Sequence, residues 1–182
     1  MILKAGRPES GAGREEKELR VYDLLDKLEI EYERVDHESA MTMEICKKID
    51  AVLGAAICKN LFLCNRQQTD FYLLMIPGDK PFKTKDISAQ IGSSRLSFAS
   101  PDNMMKYLGT APGSASALGL MNDKEGKVRL LIDEEILALE YFGAHPCVNT
   151  SSLKIRIDDL IYKILPAMGR SYTAVHLERY EE

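Results

Sequence analysis

The sequence predicts a mixed-sheet α+β domain, or a complex α/β domain, and three observations lead to that class. Segments typical of strands and helices are interspersed along the 182 residues without a strict βαβ alternation. The hydrophobic content of 45% is enough for one core of ordinary size, so no second domain is required. No window approaches the roughly 18 apolar residues of a membrane span, so we expect no contact with a membrane.

The predicted organisation is a flexible lead-in followed by one folded domain. Residues 5–14 are rich in Gly, Arg, Glu and Ser, a composition typical of a mobile terminus. The apolar stretch at the N-terminus is too short for a signal peptide. We therefore expect residues 1–14 to be the lead-in, residues 15–182 to be the domain, and the protein to be cytoplasmic.

The elements of the first half are marked by apolar spacing and by a helix cap. An opening helix is predicted by apolar residues at every third position, namely Leu19, Tyr22, Leu25 and Leu28. Residues 30–37 alternate as a short strand, and Thr42 is placed to cap a second helix that ends near Leu53. Residues 55–64 have the composition of a buried strand, with residues 71–76 as its hairpin partner.

Caps and glycines also mark the second half. Thr84 is expected to cap a short helix, and Gly92 to follow it in a left-handed conformation. Ser100 followed by Pro101 predicts the start of another helix, which Gly109 ends. The other predicted elements are strands at 96–99, 127–133, 153–157 and 173–177, and helices at 134–139 and 158–165.

The net charge limits how the chain can contact nucleic acid. A formal charge of −4 and a pI near 5.5 argue against a protein that coats nucleic acid through a positive field. An enzyme that touches only the end of an RNA is not excluded. A few phosphate contacts are available from a locally basic region, although scattered surface cations are the commoner explanation. These residues are Lys80, Lys83, Lys85, Arg95 and Lys106.

Lys59 is the first residue that breaks a local rule, because it lies inside the apolar strand 55–64. A buried, unpaired ammonium is costly to desolvate, so Lys59 needs either water or an anion. One explanation is a stem that carries the amine past its neighbours to solvent. The other is a cleft in which a ligand satisfies the charge.

Two irregular loops contain the other candidates. Residues 109–120 combine glycines, a proline and small residues, which predicts an exposed loop that is too poor in large apolar groups to be core. His145 lies in the second loop, 143–150, where a structural role is the alternative. Loops beside a rigid sheet are suited to holding carbonyl, carboxylate or phosphate oxygens. His37 can equally orient the start of a helix, and His176 is expected to be structural.

Nucleophile and metal chemistry have weaker support. The chain has no G-x-S-x-G elbow, and Cys58 and Cys64 fall on the same face of an apolar strand, where thiols are usually inert. Cys147 lies two residues from His145, a spacing that makes Cys–His geometry uncertain. Four cysteines without a C-x-x-C pair suggest neither a zinc ribbon nor a thioredoxin-type site. We expect no metal and no cofactor.

An ordered set of motifs resembles the YbaK/prolyl-tRNA-synthetase-associated editing family, most closely its free-standing prolyl-tRNA deacylases. The resemblance spans about residues 19–177. The motifs are "YERVDHESAMT" (32–42), "CKNLFL" (58–63), "YLLMIPGDK" (72–80), "RLSFAS" (95–100), "LGTAPGSASALGLMND" (108–123), "LLID" (130–133) and "HPCVNTSSLKI" (145–155). The family fold implies a central mixed, curved β-sheet flanked by helices.

The resemblance also implies which residues form the site. Lys59 matches the functional lysine of the family, Gly113 begins its G-x-x-x-P loop, and His145 matches the pocket histidine. We expect these three to be catalytic. The expected substrate-binding residues are His37, Thr42, Ser114, Ala115, Ser116, Ala117 and Pro146.

The implied activity is trans-editing, in which water attacks the aminoacyl ester of mischarged tRNA(Pro), most closely Ala-tRNA(Pro). A pocket smaller than proline would select alanine by size, and the 2′-hydroxyl of the tRNA would assist the water. The implied partners are the 3′ end of the aminoacyl-tRNA and prolyl-tRNA synthetase. Two alternatives stay open: a catalytically silent module that binds the tRNA end or the synthetase, and a deacylase for another mischarged tRNA such as Cys-tRNA(Pro).

Two positions depart from the family pattern. Ala117 stands where the loop of the family ends in proline, and Glu38 stands where many relatives have proline. Proline would fix the backbone of the loop, so its absence predicts a looser pocket or an altered activity.

Overall fold

The computed structural model describes residues 1–40 and 42–180. Met41, in the first motif, and the last two residues of the predicted domain lie outside the described part. The strands are β1 Leu3–Ala5, β2 Glu33–Asp36, β3 Lys59–Cys64, β4 Phe71–Ile76, β5 Ser97–Phe98, β6 Val128–Asp133, β7 Tyr141–Ala144, β8 Ser151–Arg156 and β9 Tyr172–Val175. The helices are α1 Glu16–Lys27, α2 Met43–Leu53, α3 Thr84–Ser88, α4 Pro101–Leu108, a 3-10 helix Ala117–Asn122, α5 Glu134–Leu137, α6 Ile157–Asp159, a π-helical turn Leu160–Ile164 and α7 Leu165–Ala167.

The strands form two sheets, which confirms the mixed α+β class. The larger sheet has the order β5-β3-β4-β6-β9, in which β3 pairs antiparallel with β4 and β5, while β6 pairs parallel with β4 and β9. The smaller sheet, β1-β2-β8-β7, is antiparallel throughout. None of the described helices is long and apolar enough to cross a membrane.

The two sheets meet where Gly143 of β7 pairs with Ile57, just before β3. The Gly143 N–H donates to the Ala56 carbonyl at 2.9 Å, and the Cys58 N–H donates to the Gly143 carbonyl at 3.0 Å. A Cβ on Gly143 would lie 2.9 Å from both the Ala56 carbonyl oxygen and the Ile57 Cα. Only glycine permits this close approach, which fixes the start of β3.

The larger sheet is buried on both faces, which explains the continuous apolar runs of its central strands. Phe62, Phe71 and Leu73 face the main core, where α1, the 3-10 helix and α7 pack. Successive side chains in a strand alternate, so Leu63 and Leu74 face a second core cluster. The layers therefore leave the ends of β3 and β4, and the loops beyond them, to form a site.

Most predicted caps are confirmed. The Thr42 side chain accepts from the Ile45 N–H at 3.2 Å, and the Ser100 side chain accepts from the Asn103 N–H at 3.1 Å. Gly92 is left-handed as expected. The Thr84 cap is wrong, because Thr84 is already the first helical residue and makes no cap hydrogen bond. The strand β7 was not predicted at all.

The first fourteen residues differ from the flexible lead-in that the composition suggested. Residues 3–5 form β1, which pairs with β2. Arg14 reaches into the fold, where its guanidinium lies 2.8 Å from the Glu18 carboxylate and 2.9 Å from Asp36 Oδ2. The prediction was wrong at these positions because strand pairing and ion pairs across the fold leave no signal in local composition.

Candidate active site

One cavity of about 660 Å³ brings together residues from distant parts of the chain. Its wall includes Lys59 at the start of β3, Gly113 and Ala115 from the loop before the 3-10 helix, and His145 after β7. Residues 77–79, which follow β4, close another side. All three residues that the sequence predicted as catalytic therefore border the same space.

Lys59 is half-buried at the wall of the cavity. Its Nζ donates to the backbone carbonyl of Lys80 at 2.6 Å and forms no ion pair with a carboxylate of the described residues. Burial lowers the pKa of the Lys59 ammonium, although the nearby Asp79 carboxylate acts in the opposite sense. One backbone acceptor satisfies only part of a three-donor ammonium, so capacity remains for an oxygen of a ligand.

The loop before the 3-10 helix is held by its own hydrogen bonds. Gly113 has a φ of 90°, and the Ser114 hydroxyl donates to the Ala111 carbonyl at 2.8 Å. The Ser116 side chain caps the 3-10 helix by accepting from the Leu118 N–H at 3.2 Å. No described group accepts from the N–H of Gly113 or Ala115, and both residues border the cavity.

The prediction that residues 109–120 are too poor in apolar groups to be core is wrong. Residues 114–120 are all buried, and Leu118 and Leu120 belong to the main core. The small residues allow this burial, since a Cβ on Gly119 would lie 3.0 Å from the Leu108 carbonyl. The loop borders the cavity and is at the same time part of the core.

The contacts of His145 fix its tautomer. Its Nδ1 lies 2.9 Å from the Ser151 carbonyl, which can only accept, so Nδ1 carries the proton and Nε2 keeps a lone pair. Burial lowers the pKa of His145; the bond to Ser151 opposes this, and the neighbouring His37 adds to it. His145 is therefore a neutral acceptor near pH 7.

His37 lies beside His145, with ring centroids 6.1 Å apart. Its Nδ1 lies 2.7 Å from the Glu38 carbonyl, so by the same reasoning Nε2 accepts from the Ser152 hydroxyl at 2.8 Å. His37 does not border the cavity and instead supports the segment that carries Ser151 and Ser152. This fits the structural alternative for His37.

A buried polar network lies behind His145. The Ser151 hydroxyl donates to Asp36 at 2.7 Å, and the Tyr22 hydroxyl donates to Glu18 at 2.6 Å. Burial opposes ionisation of Asp36, but hydrogen bonds from Arg14, Arg34 and Ser151 outweigh it and hold the pKa of that carboxyl far below its usual range. Ser151 thus links this network to the ring of His145.

Several predicted binding residues do not border the cavity. Thr42 caps α2, while Ser114 and Ser116 use their hydroxyls within the loop. Ala117 and Pro146 are buried, Ala117 as the first residue of the 3-10 helix. Their role in binding a substrate stays a prediction.

Sequence reasoning missed other residues of the cavity wall. Met43 of α2 and Phe98 of β5 border the cavity and are each 62% exposed. Asp50 also borders it and accepts from the Ile57 N–H at 3.0 Å. Exposure of large apolar side chains around one cavity is a signal that needs the tertiary structure.

The described residues provide neither a reactive thiol nor a metal site. Burial raises the pKa of Cys58 and of Cys147 to about 12, so both thiols stay protonated. Within residues 1–40 and 42–180, no group of three or more His, Cys, Asp or Glu side chains is placed to hold a metal ion.

The free energy of unfolding should fall as the pH drops from about 7 to about 5, because His145 is neutral in the fold. Its folded pKa lies below the usual 6.5, so the unfolded chain binds the proton first and protonation favours unfolding. Thermal melts across this range should show a flatter dependence for His145→Asn than for the parent. The exposed His176, with a raised pKa, acts in the opposite sense in both proteins. Parallel curves would contradict the assignment.

Comparison with known proteins places this chain in a family. The model of the aminoacyl-tRNA editing domain matches residues 37–162. The chain is 33% identical over 153 residues to the prolyl-tRNA editing protein ProX of Acetoanaerobium sticklandii, covering 84% of this chain and 93% of that one. It is 28% identical to prolyl-tRNA synthetase associated domain-containing protein 1 of Mus musculus, covering 75% and 83%.

A solved structure of a candidate trans-editing enzyme for prolyl tRNA synthetase shares the fold. The TM-score is 0.66 at 16% identity, covering 90% of this chain and 99% of that one. The matched range 37–162 contains Lys59, Gly113 and His145, which border the cavity. The chain therefore belongs to the aminoacyl-tRNA editing domain family.

Proposed function

We propose that the protein is a trans-editing hydrolase that removes alanine from mischarged tRNA(Pro). The observation that carries the proposal is the cavity on which Lys59, the Gly113 loop and His145 converge from three separate segments. The 33% identity to a prolyl-tRNA editing protein supports tRNA(Pro) as the carrier. The choice of alanine rests on the size argument below.

The proposed chemistry is attack of water on the ester that joins the amino acid to the terminal ribose. Charge develops on the carbonyl oxygen, and preorganised donors stabilise it. The Lys59 ammonium and the amides of Gly113 and Ala115 are the donors available at the cavity. No protein nucleophile is required, because the ester is already activated and the 2′-hydroxyl of the ribose can assist the water.

His145 is proposed to orient the substrate. Its unprotonated Nε2 can accept a hydrogen bond from the α-ammonium of the amino acid or from a ribose hydroxyl. Protonation would remove this acceptor and place a like charge beside the ammonium. The rate of deacylation should therefore fall as the pH drops and His145 becomes protonated.

Size is the proposed basis of selectivity. A synthetase pocket built for proline rejects the smaller alanine weakly, since a missing methylene changes discrimination by about 1–3 kcal/mol. A second pocket can instead admit alanine and exclude proline. Ala115 and Gly113 give one wall of the cavity, and the rigid hydrogen bonds of Ser114 and Ser116 keep that wall in place.

The exposed rim is proposed to receive the terminal adenosine. Phe98 offers an apolar ring at the mouth of the cavity, and base–aromatic stacking contributes about 1–3 kcal/mol per base. Lys47 of α2 borders the same space and can contact a phosphate. A chain of net charge −4 can bind an RNA end through such local contacts.

Ala117→Pro should be tolerated and should raise the free energy of unfolding by about 0.4–1 kcal/mol. Ala117 is the first residue of the 3-10 helix, a position that suits proline, and no described group accepts from its N–H. Ser116 has φ −155° and ψ 149°, the extended conformation that a residue before proline adopts. Melting temperature and deacylation rate test this; a large fall in both would show that the ring does not fit.

A panel of mischarged tRNAs tests the function. Purified protein is incubated with Ala-tRNA(Pro), Cys-tRNA(Pro), Pro-tRNA(Pro) and Ala-tRNA(Ala), and the released amino acid is scored. The proposal expects turnover of Ala-tRNA(Pro) above the others. Preference for Cys-tRNA(Pro) would overturn the choice of alanine. Binding without turnover would indicate a silent module, and co-purification with prolyl-tRNA synthetase would test that partner.

A further inference from the structure

Lys80 forms a buried ion pair that the editing chemistry does not use directly. Its Nζ lies 2.6 Å from Asp133 Oδ2 and 2.6 Å from Glu135 Oε2, and the side chains of Lys80 and Asp133 are 2% and 1% exposed. The sequence suggested Lys80 as a phosphate contact, and this is wrong because the Lys80 side chain is buried and its ammonium is paired with these two carboxylates.

The pair joins the cavity wall to the end of β6 in the larger sheet. The backbone N–H of Lys80 donates to the Pro77 carbonyl at 3.1 Å and closes a turn. The residues between Pro77 and Lys80 border the cavity. Asp133 ends β6, the strand that pairs with β4 immediately before this turn. Glu135 also forms an ion pair with Arg179, whose Nε lies 2.9 Å from Glu135 Oε1. Arg179 forms a second ion pair with Asp79.

The Lys59 side chain contacts the backbone of Lys80. The Lys80 carbonyl accepts from Lys59 Nζ at 2.6 Å, so the side chain of Lys80 anchors the group that aims Lys59. A buried ion pair stabilises a fold no better than apolar residues of similar size, but its geometry is demanding. Anchoring this turn is a role that accounts for the pair.

We propose that Lys80 is a positioning residue for editing, which fixes the Lys59 ammonium at the cavity through its own backbone carbonyl. The proposal rests on the proposed function, because it assigns Lys80 to the reaction through Lys59. Without the anchor, the turn 77–80 loosens and the Lys59 amine moves toward water. Asp79 and Asp50, the acidic residues at the cavity, and Lys47 are unchanged by this substitution.

The test compares three variants with the parent in deacylation of Ala-tRNA(Pro). Lys80→Met keeps the apolar stem and removes the charge, and Glu135→Gln weakens the same anchor at a residue that is 43% exposed. The matched control is Arg170→Met, which breaks the comparably buried Arg170–Asp123 pair, 2.7 Å long, away from this cavity. Folding is checked by thermal melts, and rates are taken well below the melting temperature.

We expect kcat/KM to fall at least tenfold in Lys80→Met and less in Glu135→Gln. Burial lowers the pKa of Lys59, so a freed amine should move the alkaline limb of the rate profile to higher pH in both variants. The ¹⁵N or ¹³C titration of the Lys59 amine should show the same shift without any substrate. Arg170→Met should lower the melting temperature and leave the dependence of the deacylation rate on pH unchanged.

An unchanged rate and Lys59 titration in Lys80→Met would overturn the proposal. If Lys80→Met does not fold, the test uses Glu135→Gln. A dependence of the deacylation rate on pH that is identical in Glu135→Gln and in the parent would then overturn the proposal. A parent that does not deacylate Ala-tRNA(Pro) refutes the proposed function instead, while the titration of Lys59 still reports whether Lys80 positions it.

Discussion

Lys59→Ala should lower kcat/KM for Ala-tRNA(Pro) by about 100- to 1,000-fold, the range observed when one donor to a developing oxyanion is removed. The fold should survive. Burial disfavours the charged form of Lys59, and among the described residues its amine donates one hydrogen bond, to the Lys80 carbonyl, worth about 1.5–3 kcal/mol for a charged donor. Steady-state rates and melting temperatures measure both effects.

Two further variants make this result specific. Lys59→Arg should rescue poorly, because a planar guanidinium does not replace a compact ammonium in a confined wall. Lys48→Ala, at an exposed lysine of α2, removes the same charge and should keep the parent rate. Parent-like turnover in Lys59→Ala would remove Lys59 from the chemistry and return it to the structural explanation.

Gly143→Ala should lower the free energy of unfolding by about 3 kcal/mol, at the upper end of the cost of overpacking. The new Cβ would lie 2.9 Å from the backbone of Ala56 and Ile57, and neither is the movable end of a side chain. For a chain of this size the melting temperature should drop by roughly 6–12 °C. Deacylation should also fall, since the displaced backbone leads directly into Lys59.

The neighbouring residue provides the control for Gly143. Ala144→Gly changes β7 by the same single methyl group in the opposite sense, and it should cost about 1–2 kcal/mol, from added backbone freedom and the loss of one buried methyl group. A Gly143→Ala protein as stable as this control would show that the two sheets tolerate separation at their junction.

Local signals predicted the local features of the fold. The caps at Thr42 and Ser100 depend on residues three positions apart, and the β3–β4 hairpin joins neighbouring strands. The strand β7 was missed because its four residues become a strand only by pairing with β8. Lys80 was misplaced for the same reason, since Asp133 lies 53 positions away.

Part of the candidate site was predicted because the chain matches family motifs at residues whose types local patterns do not explain. Lys59 was visible as a charge in an apolar strand, and Gly113 and His145 lay in two irregular loops that the sequence singled out, although only the family motifs implied a role for each of them. Phe98 and Met43 were not identified, because exposure at the rim of a cavity depends on how separate elements pack. The tautomer of His145 likewise depends on the Ser151 carbonyl, whose position is tertiary.

The burial of the small-residue loop has a consequence for how such a protein changes its selectivity in evolution. Any substitution that enlarges or narrows the wall at Ala115 also changes the packing of the buried loop, because Ala115 is 8% exposed and lies two residues before Ala117, which belongs to the main core. A lineage that acquires a new amino-acid preference through this wall must pass through less stable intermediates, or first accumulate stabilising substitutions elsewhere. Phe98 at the rim is 62% exposed and carries no such cost, so we expect the rim, where the terminal adenosine is proposed to bind, to diversify faster than the wall at Ala115.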